Sequence, residues 1–266
     1  VPHSADALQL IALPQWPQVV AGDDLAVMTV AALERAALRL EPGDVLVYAQ
    51  KIVSKAEGRR VDLRTVTAGP EALALAAEVQ KDPRLVELIL RESRRVVRRA
   101  KDVLIVEHRL GLIMANAGID QSNVDDANAG ELALLLPRDP DSSAATLRAA
   151  LHARTGCEPG IIISDSFGRP WRVGTVGVAI GCAGVAATLD LRGSSDLYGR
   201  KLRVTVVGHA DEIAAAASLL MGQGSEGRPV VMVRGLPTYS EPARARRAEA
   251  QTAAALLRPS AEDLFR

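Results

Sequence analysis

Apolar residues recur along this chain with two periods, and the change from one to the other marks out its elements. Short runs rich in Val, Ile and Leu predict strands at Leu8–Leu13, Val45–Ala49, Val103–Val106, Leu110–Met114, Val173–Gly181, Leu202–Val207 and Val230–Val233, with another opening at Ile161. The two runs that flank His108–Arg109 read as a pair joined by a turn, and His108 as a structural histidine. Apolar spacings of three and four predict helices from an Asp23 or Asp24 cap to about Arg39, within Ala68–Arg95, from an Asp141 or Ser142 cap to about Arg154, and over Asp211–Met221. A further helix, rich in Arg and Ala, is expected from about Glu241. The basic run Arg94–Lys101 alternates with apolar residues, as a half-exposed strand does. Strands and helices do not alternate regularly, so the pattern predicts an α+β fold on a mixed sheet rather than a doubly wound one. At 266 residues the chain makes one domain over 1–266 or two subdomains, and composition marks no boundary between them.

Two stretches carry candidate chemistry. IIISDSFGRPWR, Ile161 to Arg172, runs a β-branched strand into Asp165 and Ser166, a carboxylate and a hydroxyl placed to hold a metal ion beside a phosphate. The same pair also suits an ordinary turn. ANAGIDQSNV, Ala115 to Val124, puts Asp120, Ser122 and Asn123 within one polar loop. Asp120 can ligate a metal there and Asn123 can bond a base or a phosphate; an Asx-rich capping loop is the plainer reading. Converging from different strands, Asp120 and Asp165 would form an oxygen-rich site suited to Mg²⁺ or Mn²⁺. No G-x-x-x-x-G-K-[ST] is present, so the phosphates of any bound nucleotide must rest on other groups. Lys55 of QKIVSK, Arg169, Arg172 and the backbone of Gly222–Gly227 are the available ones. That last segment, GQGSEG, matches G-x-G-x-x-G, but a helix precedes it and a strand follows, the reverse of the dinucleotide fingerprint.

Charge and cysteine content narrow the classes. Lys and Arg balance Asp and Glu to a formal net charge of zero, which argues against a dedicated nucleic-acid binder. Cys157 and Cys182 have neither a C-x-x-C spacing nor a histidine cluster, so a disulfide framework and a zinc site are not expected and a reducing cytoplasm is. No apolar run reaches membrane-span length, and no signal pattern opens the chain, which starts at Val1. The lack of G-x-S-x-G speaks against a nucleophile-based hydrolase.

Ordered motifs along the whole length resemble the coenzyme F420-0:L-glutamate ligase family, also called F420-0 γ-glutamyl ligase. They include LPQW, AGDDL, KIVSKAEGR, EHRLGLIMANAGIDQSNV, LLPRDPDSSAATLR, ISDSFGRPWRVGTVGVAIG, DLYGRKL, ADEIAAAASLLMGQGSEGRPVVMVRG and the closing LLRP and DLF. The resemblance implies a largely antiparallel mixed sheet packed with helices, in an intertwined homodimer. It implies a GTP-dependent ligase that adds L-glutamate to F420-0, with two Mg²⁺ or Mn²⁺ ions and potassium as an optional further ion. By that likeness Leu13, Pro14, Gln15, Trp16, Gln50, Lys55 and Asn123 contact the nucleotide, as do Met221, Gly222, Gln223, Gly224, Ser225, Glu226, Gly227 and Arg228. Gln50 stands where the family often has serine. Asp120 and Asp165 would hold one ion, Ser166 and Gln223 the other. Arg169 and Arg172 are candidates for transition-state charge or a substrate phosphate. Two rival readings use the same acids: a metal-dependent phosphohydrolase, and a nucleotide sensor without turnover.

Overall fold

The computed structural model describes residues 7–122, 131–237 and 252–263. The first half runs β1 (Gln9–Ala12), α1 (Leu25–Arg35), β2 (Val45–Ala49), α2 (Gln50–Ala56), β3 (Arg60–Asp62), α3 (Pro70–Val79), α4 (Pro83–Arg91), β4 (Ser93–Ala100), β5 (Val103–His108) and β6 (Ile113–Ala115). The second half runs β7 (Leu132–Leu134), α5 (Pro140–Thr155), β8 (Gly160–Arg169), β9 (Arg172–Ala183), β10 (Leu189–Asp190), β11 (Val206–Val207), α6 (His209–Met221) and β12 (Val230–Arg234).

Five strands form the main sheet in the order β1-β12-β2-β8-β9. β2 and β8 run parallel, from Val45 opposite Gly160 to Ala49 opposite Ser164, and the other three pairings are antiparallel. The fold is therefore α+β on a mixed sheet, as the pattern predicts. Val45–Tyr48 and Ile161–Ile163 are buried on both faces, which is why they read as unbroken apolar runs and not as alternating ones. One face packs against α1 and α5 through Leu46, Tyr48, Ile161 and Ile163. The other packs against α6 through Val45, Val47, Ile162, Val231 and Val233. A separate apolar cluster joins α3 and α4 to the three-stranded sheet β4-β5-β6.

The local departures from expectation have identifiable causes. The helical stretch Ala68–Arg95 is two helices, because Gln80 takes a left-handed conformation and Pro83 can only start a new helix. Helix α1 stops at Arg35, short of Arg39, with Ala37 in the left-handed region. The cap of α5 is Asp139, which accepts from the Ser142 N–H, and not Asp141 or Ser142; Pro140 then fills the first helical position. Of Leu202–Val207 only Val206 and Val207 form a strand. Strand β8 does not end at Asp165 but continues to Arg169, paired throughout with β9. The glycines of β9 permit close contact: a Cβ on Gly181 would collide with the Pro140 backbone, and one on Gly177 with the Ala214 carbonyl. The helix expected from Glu241 lies mostly outside the described residues; Ala253–Leu256 and Ser260–Glu262 form short 3₁₀ turns.

A buried charge cluster ties the two apolar regions together. Glu92, just after α4, accepts from Arg59 Nη2 and Arg109 Nε, each at 2.9 Å, and His108 Nε2 points at it from 3.5 Å. Arg59 also donates to the Leu136 carbonyl at 2.8 Å. His108, fully buried, accepts the Leu110 N–H on Nδ1, so it is structural as expected. Burial alone would raise the Glu92 carboxyl; His108, Arg109 and Arg59 outweigh it and hold the group at about 2. This carboxylate stabilises the fold above pH 4.5, and its contribution is lost as pH falls towards 2. Glu92→Gln, which strands two guanidinium groups, is expected to cost about 3 kcal/mol at pH 7 in urea unfolding, a deficit that narrows as acid protonates the wild-type group.

Candidate active site

Strand alternation decides which way the acids of β8 face. Ile161 and Ile163 enter the core on the α1–α5 side, and Ile162 the core under α6. The extra residue that interrupts the ladder, Ile180, belongs to β9, so β8 keeps its alternation. Asp165 thus follows Ile163 to the first face, while Ser164 and Ser166 lie on the α6 face. Ser164 confirms the assignment, with its Oγ 3.4 Å from the Tyr48 carbonyl and 3.9 Å from Met221 Sδ. One Asp165 oxygen accepts the Ser166 N–H at 2.8 Å.

Asp120 reaches the same face from another direction. Its backbone bridges Leu134 in both senses, which fixes the loop after β6 against the chain end of β7. Its carboxylate accepts from the Ser122 hydroxyl and N–H, at 2.7 and 2.9 Å, and from Lys51 Nζ at 2.7 Å. Lys51 donates to Ser122 Oγ as well.

The two carboxylates are pushed in opposite directions. Burial raises Asp165 to about 7; the Ser166 N–H opposes it, and the nearby Asp120 charge adds to it. Burial also acts on Asp120, but the hydrogen bonds from Lys51 and Ser122 prevail and its pKa is lowered. A desolvated carboxyl beside an ionised one is an environment that a divalent cation relieves. The donors are all oxygen, so the residues present fit a hard divalent ion. Among the described residues no three acidic, His or Cys side chains gather, so such an ion would take the rest of its shell from phosphate or water.

Lys51 is the site residue that the sequence reading missed. From the sequence, QKIVSK is a segment after a strand whose two lysines and serine suit an anion, with Lys55 as the expected nucleotide contact; in the structure it is the helix α2. Lys51 and Lys55 sit one turn apart on it, with Lys55 buried. Gln50 and Ser54 form the next such pair, the Ser54 hydroxyl donating to Gln50 Oε1 at 2.9 Å, so the amide oxygen is taken and the nitrogen is not. That nitrogen is buried and, among the described residues, has no partner. Trp16 Nε1 is in the same state, its ring set edge-on to Tyr48 at 6.5 Å. Leu13 is buried and bonds the Val230 carbonyl, while Pro14 and Gln15 are exposed, Gln15 with a positive φ.

The loop after α6 is a backbone anion cradle. Gly222 and Gly227 have positive φ, and the Gly224 N–H points at Glu226 Oε2 from 2.8 Å. The N–H groups of Glu226, Gly224 and Gln223 together lower the pKa of that carboxylate. A Cβ on Gly222 would overlap the Glu226 carboxylate and displace it, and the positive φ there favours glycine. Gln223, Ser225 and Arg228 are exposed, as is Ser166, and Met221 connects this loop to Ser164. Asn123 lies outside the described residues. Arg169 and Arg172 close the β8–β9 hairpin, four residues beyond Asp165 or about 13 Å along the strand. They line a recess against α6.

Comparison with known proteins follows the same residues. The family model described as F420-0:Gamma-glutamyl ligase matches residues 15–235. The chain is 47% identical over 230 residues to the coenzyme F420:L-glutamate ligase of Methanothermobacter thermautotrophicus, covering 86% of this chain and 90% of the relative. It is 44% identical over 259 residues to the protein of the same name from Methanopyrus kandleri, covering 97% and 98%. For the one from Archaeoglobus fulgidus the identity is 44% over 225 residues, covering 85% and 86%.

The raised Asp165 carboxyl has a measurable consequence for the metal-free protein. A carboxyl whose folded pKa lies above its unfolded one favours folding most in acid, and that benefit is lost between the ordinary value of 3.8 and about 7. In EDTA at pH 8, Asp165→Asn is expected to be more stable than wild type by on the order of 2 kcal/mol, with the gain fading towards pH 4. Equal melting temperatures across that range would show that Asp165 is not desolvated.

Proposed function

Because the chain belongs to the F420-0:gamma-glutamyl ligase family, we propose that it joins L-glutamate to the terminal carboxylate of coenzyme F420-0 by an amide bond, using GTP. Family membership at this identity and coverage carries the reading. The pairing of a desolvated Asp165 with an ionised Asp120 beside a cation supports the phosphoryl chemistry.

Amide formation from a free carboxylate needs activation. The γ-phosphoryl of GTP passes to the F420-0 carboxylate, giving an acyl phosphate and GDP. The glutamate amine then attacks that carbonyl, the amide C–N bond forms, and phosphate leaves as the amine gives up its proton. Bound divalent ions supply charge neutralisation on the phosphates during the transfer. Asp120 and Asp165 are the residues that would hold the first, and Ser166 and Gln223 the second. Lys51 is placed to neutralise phosphate oxygens next to Asp120, and Lys55 to add to the same field. The nitrogen donors of Trp16 and Gln50 offer hydrogen bonds to the nucleotide, as does the backbone of Gly222–Gly227.

A homodimer is part of the proposal. Trp171 and Val173 at the hairpin tip, and Leu197, Tyr198 and Val204 between β10 and β11, are each at least 85% exposed, far more apolar surface than an isolated chain usually leaves bare. Light scattering is expected to give twice the 28.1 kDa chain mass.

With GTP, Mn²⁺, L-glutamate and F420-0, the protein is expected to release GDP and to yield a glutamylated product by mass spectrometry. Asp165→Asn should reduce the rate by at least a hundredfold while the fold is kept. Phosphate release at the wild-type rate without glutamate would identify a phosphohydrolase instead, and binding of GTP with no turnover a sensor.

A further inference from the structure

A recess of about 460 Å³ opens between the β8–β9 hairpin and the first turns of α6, apart from the Asp120–Lys51 cluster. Arg169 and Arg172 line its hairpin side, and Asp211 and Glu212 its helix side. Among the described residues neither arginine forms an ion pair with either carboxylate, so the four charges line one space without neutralising each other. Arg169 Nη1 is buried and has no hydrogen-bond partner among the described residues. Desolvating part of a guanidinium without a partner is costly, and an arriving carboxylate would remove that cost. Asp211 is held in place, one oxygen accepting the Ala179 N–H at 2.8 Å.

We infer that this recess is the L-glutamate subsite, with Arg169 and Arg172 taking the two carboxylates of the amino acid and Asp211 and Glu212 its ammonium group. The inference rests on the ligase reading above. Charge complementarity selects the ligand. A recess with two cations and two anions on opposite walls suits a zwitterion, whereas a purely anionic acceptor would meet the Asp211–Glu212 wall as repulsion. Position agrees. Gly177, which also lines the recess, is the ladder partner of Ser166, so the recess lies on the α6 face, one strand from that proposed metal ligand, with Asp165 on the opposite face. The two arginines so far without a role thus become positioning groups for the incoming amine.

The test uses the intact enzyme and varies each substrate in turn. Arg172→Gln and Arg169→Gln are expected to raise KM for L-glutamate by at least about tenfold, the loss typical of one charge-assisted hydrogen bond, with KM for GTP within twofold of wild type. Arg172 is exposed at the hairpin, so that variant should keep the wild-type melting temperature. Glu212→Gln should act in the same direction and more weakly. An unchanged KM for glutamate in both arginine variants, or a rise confined to KM for F420-0, would overturn the assignment. Calorimetric titration of L-glutamate alone separates this inference from the ligase reading. If the wild type binds glutamate and Arg172→Gln does not, the subsite stands even where no glutamylated product forms; equal binding by both rejects the subsite while leaving the ligase assay unaffected.

Discussion

The parallel ladder between β2 and β8 is the constraint on which the site depends. Its residues Val45–Tyr48 and Ile161–Ile163 are buried on both faces, so neither strand can slip by one residue without turning apolar side chains the wrong way in two cores at once. Register there fixes everything that leaves the strand ends. At the end of β2 the chain turns directly into α2, which brings Gln50, Lys51 and Lys55 above the sheet. At the matching level of β8 the strand does not stop, and Asp165 emerges as a polar residue in a continuing ladder. That continuation contributes to the desolvation of Asp165: the half-buried carboxyl of a mid-strand residue, next to the Asp120 loop, is less open to water than one on a turn.

The site is built from unequal acids. Asp120 is held ionised by its bond to Lys51, whereas desolvation raises Asp165, so the two acids differ before any ligand arrives. Neither acid belongs to a helix. One is held by a two-way backbone bridge to Leu134 and the other by the β8–β9 ladder. The Glu92 cluster ties this arrangement to the second apolar region, because Arg59 follows α2, His108 ends β5 and Arg109 follows it.

Much of this was legible in the sequence. The buried strands, α6, the half-exposed basic strand and the paired strands around His108–Arg109 follow from periodicity, the inverted order around GQGSEG from the elements that flank it, and each is seen. The two acids stood out as polar ends of apolar runs. Other features were hidden for physical reasons. The α2 helix has no side-chain cap and only two turns, so QKIVSK carries no helix-start signal, and Lys51 looked like one of many solvated lysines. The α5 cap shifted to Asp139 because proline at the first helical position outweighs the two competing polar residues that follow. Pairing of Asp120 with Lys51 joins residues far apart in sequence, and no single-sequence pattern reports such a contact.

The Glu226 carboxylate, resting on the N–H groups of its own loop, alters what anion recognition means there. The cradle is not an empty electropositive hole but one that carries its own counter-anion, formally a resident competitor. An incoming phosphate would therefore gain only the difference between two anions on the same donors, and the displaced carboxylate would swing out beside the exposed Arg228. Such an exchange would favour multiply charged ligands over monovalent ones, because only the former gain more from the same N–H donors than the resident carboxylate does.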